Sequence, residues 1–188
     1  LILVNDESND IDLTWLSIIS AAKEINNILG INLQRNAGQF NATLCGMENA
    51  KGNIVVIMDD DLQHLPEDIP ILLSAMEDNN LDCVMGNFDS KNHSLFRNFG
   101  SLFVRKSYQL FHGLKNDIRM SSFRALRRPV VNMMLNHKTA NPVIGSILIK
   151  SSRNIKNVKI RHEKRPYGKS GYSFCLLYTS DAADDSLR

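Results

Sequence analysis

Ile54-Val-Val-Ile-Met-Asp-Asp-Asp-Leu-Gln-His-Leu-Pro-Glu-Asp68 is the stretch on which the fold turns. Its first five residues form an apolar run of strand length, rich in β-branched side chains, and read as a short, fully buried strand. The run stops at Asp59, Asp60 and Asp61. A strand buried on both faces cannot hold three adjacent charges, so they belong at its C-terminal mouth, where open α/β sheets bind ligands. Along an extended chain Asp59 and Asp61 point one way and Asp60 the other. Two convergent carboxylates with the Gln63 amide oxygen behind them form an all-oxygen donor set suited to Mg²⁺ or Mn²⁺, above all where phosphate oxygens add further ligands. The same residues also read as a solvated acidic loop capping a helix that begins near Pro66. Spacing alone leaves both readings open.

Working outward from this strand, the flanking sequence alternates in period. Leu1 to Val4 reads as a strand, followed by the polar turn Asn5-Asp-Glu-Ser-Asn-Asp10. Residues 13–29 carry apolar positions at a helical period, with Gly30 placed to cap the helix end. Ile31 to Gln34 is expected as a second strand, and Arg35-Asn-Ala-Gly38 as the turn into a helix bearing Phe40, Leu44 and Met47. On the other side, Pro66-Glu-Asp-Ile has Pro and acids where a helix start favours them. Further strands are expected at Asp82 to Gly86, Ile147 to Ile149 and Val158 to Ile160, and a helix from Pro129. The Phe-rich segment 94–112 reads as a core helix, and its basic flanks also suit a helix lying on an anionic bilayer. The β-α-β-α-β order with short connections predicts an α/β fold with a mostly parallel central sheet and helices on both faces.

Composition narrows the classes. The chain has 188 residues, 43% hydrophobic and 22% charged, which suits one soluble globular domain with a real core. No apolar run approaches the ~20 residues of a spanning helix. Cys45, Cys83 and Cys175 lack metal-type spacing, and the first two sit among apolar residues as reduced core thiols. The net charge of +2 hides a lopsided distribution: residues 1–90 carry 15 acidic and 3 basic side chains, residues 91–172 carry 2 acidic and 18 basic. The second half should seek anions, unless the two halves neutralise each other across the fold. Within it, Arg161-His-Glu-Lys-Arg-Pro-Tyr-Gly-Lys-Ser-Gly-Tyr172 reads either as a diphosphate-gripping loop or as a solvated basic one.

Three segments in order resemble glycosyltransferase family 2. Val4-Asn-Asp-Glu-Ser-Asn-Asp10 is similar to its V-D-D-G-S-x-D turn, and Met58-Asp-Asp-Asp-Leu-Gln-His-Leu-Pro-Glu67 to its M-D-A-D-L-Q-x-P-P-E. Arg165-Pro-Tyr-Gly-Lys-Ser170 resembles the R-x-x-G-x-S of the polyprenyl-phosphate branch, with Ser122-Phe-Arg-Ala-Leu matching that branch's S-F-R-like segment. The resemblance implies a nucleotide-diphospho-sugar-binding fold of the GT-A type and an inverting transfer to a polyprenyl phosphate. By it Asp6 would contact the nucleotide base or ribose. Asp59, Asp61 and Gln63 would hold Mg²⁺ or Mn²⁺ on the diphosphate of a UDP- or GDP-linked sugar. Arg165 and Lys169, with Ser170 in the same motif, would grip that diphosphate. Ser122 and Arg124 would stand at the acceptor, with Asp61 in the catalytic set and Arg119, Arg127 or Arg128 as further phosphate ligands.

Departures accompany the match. Asn5 replaces the first Asp of the turn, Glu7 the usual Gly, and Ser122 an acceptor-side Asp of some relatives. The family's preceding strand is absent, as if ~30 residues, one strand and one connection, were missing. Residues 1–174 are therefore expected to be an N-terminally truncated catalytic domain, and 175–188, which resemble a translated sequencing-adapter tail, a non-native or disordered one. The expected location is the cytoplasmic face of the inner membrane, peripheral or anchored, against an anionic surface. Nucleic acid is not an expected partner, because no nucleic-acid motif accompanies the cations. Transfer to a saccharide acceptor, or a non-catalytic nucleotide-sugar binder, are the alternatives.

Overall fold

A computed structural model of the chain describes residues 1–6, 11–88, 118–139, 141–152 and 154–161. The segment 94–112, the basic motif 165–170 and the tail 175–188 lie outside the described residues. Within them, β1 (Ile2–Asn5) leads to α1 (Ile11–Glu24), then β2 (Leu29–Asn32), α2 (Gln39–Asn49) and β3 (Ile54–Ile57). A 3-10 turn at Pro66–Asp68 opens α3 (Ile69–Asp78), followed by β4 (Cys83–Phe88). Beyond the gap come β5 (Arg124–Arg127), α4 (Arg128–Asn136), α5 (Ile144–Ser151) and β6 (Ile155–Ile160).

β1 and β2 pair in parallel, and a second sheet runs β3-β5-β4-β6. In it β5 lies antiparallel to both neighbours, while β4 and β6 are parallel. The α/β class stands, but the sheet is mixed rather than mostly parallel. Helices cover both of its faces: Cys83, Met85 and Leu126 pack with Met47, Val131, Met134 and Leu148 on one side, and Val84, Phe123 and Ala125 with Leu72 and Met76 on the other. Through their period-2 alternation β4 and β5 each send side chains into both cores.

Several sequence expectations shift. Only Val55 of β3 is buried and its neighbours are half-covered, because β3 pairs with β5 alone among the described strands. α1 ends at Glu24, and Asn27 takes the left-handed backbone (φ 73) expected of Gly30. Gly30 instead sits in β2, where a Cβ would lie 2.6 Å from Ile18 Cγ2 and 3.3 Å from Trp15 Cζ3. The glycine there lets α1 close onto the strand. Residues 147–149 are helical, inside α5, whose Ile144, Ile147, Leu148 and Ile149 are all buried. An apolar run covered on every side loses the periodicity that separates a helix from a strand.

Candidate active site

The acidic stretch sits where the strand's mouth was expected, but the chain bends before alternation can align its carboxylates. β3 ends at Ile57 and residues 60–64 form successive bends, with Asp60 exposed. Asp61 Oδ1 accepts the Gln63 backbone N–H at 3.0 Å, closing a tight turn, and Leu62 between them carries a positive φ of 61°. A non-glycine side chain held there is strained backbone of the kind that gathers at functional sites. The donor set expected from the sequence, two carboxylates and an amide oxygen, consists of hard ligands of the kind Mg²⁺ or Mn²⁺ takes. Among the described residues no three His, Cys, Asp or Glu side chains gather for a metal. One or two carboxylates completed by phosphate and water is the ordinary mode for Mg²⁺, so the residues present fit the ion.

Asp59 is held from three directions. Ser122, on the approach to β5, donates its hydroxyl to Asp59 Oδ2 at 2.6 Å, and Gln39 Nε2 at the start of α2 donates to Oδ1 at 3.1 Å. The Asp59 backbone N–H points to His64 Nδ1 at 3.4 Å, and the His64 ring stacks on Phe123 with centroids 5.1 Å apart. Residues 59–64 are thereby fastened to the segment that leads into β5.

Asp6 lies at the mouth of β1 and turns to the other side of the α2 start. Its Oδ1 accepts the Ala37 N–H at 2.6 Å and its carbonyl the Asn36 Nδ2 at 3.2 Å. Gly38, with φ 85°, supplies the left-handed step into the helix. The α2 N-terminus is thus the node between the two strand mouths that carry Asp6 and Asp59.

A cleft of about 250 Å³ opens between α2, the β3 mouth and the N-terminus of α5. Asp59, Ser122 and Arg124 share it with Gln39, and Phe40, Met120, Val143 and Ile144 give it an apolar wall. Arg124 is only 8% exposed and its Nε donates to the Ser122 carbonyl at 3.4 Å. Arg127 and Arg128 belong elsewhere. β5 runs antiparallel to β3, which puts Arg127 beside Ile54, at the end away from the acids. Arg127 Nε donates to the Leu81 carbonyl at 2.8 Å and Arg128 Nε to that of Gly52 at 2.9 Å, so these two clamp backbone rather than face the cleft. Arg119 reaches Asn87 Oδ1 at 3.5 Å.

Three side chains that support this arrangement were not singled out from the sequence. Gln39 grips Asp59. Asn157 on β6 binds both backbone groups of Arg119, at 2.7 and 2.8 Å, and so holds the lead-in to Ser122. Asp68, wholly buried at the 3-10 turn, accepts Arg161 Nε at 3.2 Å and Nη2 at 2.9 Å on Oδ1, tying the end of β6 to the acidic stretch. No local pattern marks the first two, since a lone Gln or Asn carries no spacing signal. Asp68 reads only as the second of two acids after Pro66 at a helix start, with nothing in the pattern to pair it with Arg161.

The chain resembles known proteins along most of its length. The profile of the family described as Glycosyl transferase family 2 matches residues 1–135. Similar curated proteins include undecaprenyl-phosphate 4-deoxy-4-formamido-L-arabinose transferases: that of Aeromonas hydrophila is 33% identical over 177 residues, covering 94% of this chain and 54% of the relative. That of Shewanella sediminis is 30% identical, covering 94% and 53%. The chain spans about half the length of these relatives. Among solved structures, glucosyl-3-phosphoglycerate synthase of Mycobacterium tuberculosis, in complex with Mn²⁺ and UDP-glucose, superposes with a TM-score of 0.61 at 16% identity over 99% of this chain and 65% of that one. Staphylococcus aureus TarS 1–349 gives a TM-score of 0.56 at 13% identity, over 84% and 48%. Likeness at this identity speaks for the GT-A-like fold alone.

Proposed function

From the premise that this chain belongs to glycosyl transferase family 2, we propose that its cleft transfers a sugar from a nucleoside-diphosphate donor to a polyprenyl phosphate of the undecaprenyl type. The observation that carries the reading is the buried Arg124 guanidinium lining the same cleft as the clamped Asp59 at the mouth of β3. An anionic wall and a cation across one small space suit a reaction between a metal-bound diphosphate and an anionic acceptor. The names of the curated relatives support the choice of lipid phosphate.

In a single displacement the acceptor oxygen bonds to the anomeric carbon as the bond to the diphosphate breaks, and the electron pair leaves with the nucleoside diphosphate. A bound Mg²⁺ or Mn²⁺ supplies positive charge for that diphosphate, and Asp61, Asp59 and Gln63 would hold it. Arg124 binds and orients the acceptor phosphate, a task for which a buried guanidinium is well matched. Ser122 spends its proton on Asp59 and is no base. A phosphate acceptor with a second pKa of about 6 is already ionised at neutral pH and needs none, which favours it over a sugar hydroxyl. Asp6 orders the turn beside the nucleotide side, and Arg165 and Lys169 are assigned to the diphosphate by the family motif. Among the described residues no helix is long and apolar enough to cross a membrane, and on this reading the basic half of the chain meets the anionic cytoplasmic surface of the membrane.

Calorimetry with UDP and GDP, with and without Mn²⁺, tests the donor side. One of the two should bind, ~tenfold or more tighter with Mn²⁺, and Asp61→Asn should remove that gain. Binding of neither nucleotide by the folded chain would sink the reading. Farnesyl phosphate as the acceptor probe should bind the nucleotide complex and lose affinity in Arg124→Ala; indifference to that substitution would turn the acceptor assignment toward a saccharide.

A further inference from the structure

We infer that Gln39 is a positioning residue for the transfer: with Ser122 it grips opposite oxygens of Asp59 and fixes the plane of that carboxylate across the cleft. The inference rests on the functional reading above, and adds to it a residue that no motif marks.

A carboxylate on a bending loop has two torsions to settle. Asp59 follows the last residues of β3 and precedes a run of bends, so its backbone alone does not aim the side chain. Two donors on one oxygen would leave the group free to swing about that oxygen. Here Gln39 Nε2 takes Oδ1 and Ser122 Oγ takes Oδ2, from α2 and from the lead-in to β5, on separate elements of the fold. The Ser122 contact, at 2.6 Å, lies in the short range of an O–H donor on an ionised acceptor. With both oxygens engaged, the carboxylate presents its remaining lone pairs in one fixed direction.

The two partners differ in a way that makes the idea separable from stability. Gln39 is exposed and starts a helix whose buried residues are Ala42 and Met47, so trimming it leaves the core untouched. A side chain at the rim whose removal changes ligand affinity but not the melting temperature is acting on the site. Ser122 is part-buried, and threonine there keeps the hydroxyl donor.

Two readouts test the clamp on the full chain. In ¹⁵N spectra the Gln39 side-chain amide should shift in Asp59→Asn and in Ser122→Ala, with no nucleotide present. By calorimetry with Mn²⁺ and UDP or GDP, Gln39→Ala and Ser122→Ala should each weaken binding about tenfold, the size expected for one hydrogen bond to a charged group. Ser122→Thr, which keeps the hydroxyl donor, should bind more tightly than Ser122→Ala, and Gln39→Ala should keep the wild-type Tm. In the Asp59→Asn background Gln39→Ala should have no further effect, because the two residues act as one unit. A Gln39 amide indifferent to Asp59→Asn overturns the inference, as does a full loss from Gln39→Ala in the Asp59→Asn background, which would mean Gln39 touches the ligand itself. If the amide responds but the wild-type chain binds neither nucleotide, the contact is real while the transferase reading fails, and Gln39 then positions nothing for catalysis.

Discussion

At the scale of single residues, the site's chemistry and the core's chemistry meet at Cys83, one strand away from Arg124. Burial pushes the Cys83 thiol up to about 12 from the usual 9.0, partly opposed by the Arg124 charge and reinforced by Asp82. The folded state therefore keeps a proton that the unfolded chain has lost between those values. The stabilisation from this group is complete below pH 9 and disappears as pH rises toward 12. Cys83→Ala should flatten the alkaline fall of the denaturant midpoint by up to about one proton's worth of slope in that window, at a small cavity cost. Equal slopes for the two proteins would contradict a buried thiol there. The sequence already placed Cys83 in the core from its apolar neighbours, and it named Asp59, Asp61, Gln63, Ser122 and Arg124 as candidates; of these, Asp59, Ser122 and Arg124 line one cleft. What it could not show was contact. That Ser122 answers to Asp59, 63 positions away, or that Gln39 shares the same carboxylate, is decided by how β3, β5 and α2 are set side by side.

Elements were legible where their period was clean. The strand that stops short of Asp59, the helix after Pro66 and the helix from Pro129 stand close to where the sequence put them. β5 was not legible, although it is the strand between β3 and β4. Its four residues, Arg-Ala-Leu-Arg, put arginines at both ends of a buried pair, a pattern that reads as a basic loop until Arg124 is seen lining a cleft and Arg127 holding the Leu81 carbonyl. That unforeseen antiparallel strand is also why the sheet is mixed. β4 against β6 is packed closely enough to test. Gly86, in β4 opposite Val158 of β6, donates its N–H to the Phe123 carbonyl at 2.9 Å. A Cβ there would fall 2.2 Å from Ile160 Cδ1 and 3.2 Å from Phe123 Cδ1, both on buried side chains. Gly86→Ala should cost about 1–3 kcal/mol in urea unfolding, through overpacking. Ile160→Val removes the obstructing methyl, so the double variant should be more stable than the sum of the two changes predicts. Simple additivity would place the clash elsewhere.

At the scale of the whole molecule, the described residues of the two unequal halves meet both through charge and through neutral oxygens. The Arg161–Asp68 contact, two N–H groups on the single oxygen Oδ1, joins them. Arg127, Arg128 and Lys156, however, reach across to the Leu81 and Gly52 carbonyls and to Asn79 Oδ1, neutral oxygens that leave the positive charge in place. Residues 91–172, with 18 basic and 2 acidic side chains, carry a local excess of positive charge, the source of an attractive field for anions. On the proposed reading, a site for a lipid-borne phosphate would gain from such a field, since it would draw the protein to the surface that carries the acceptor. Each cation near an anionic leaflet contributes on the order of 1 kcal/mol and is screened within a Debye length. The full chain should therefore sediment with phosphatidylglycerol-containing vesicles and stay behind with pure phosphatidylcholine. Raising NaCl from about 0.05 to about 0.5 M should release most of it. Equal binding to both vesicles would assign the attraction to apolar contact, and binding to neither would leave the basic half to the donor diphosphate and to its own carbonyl contacts.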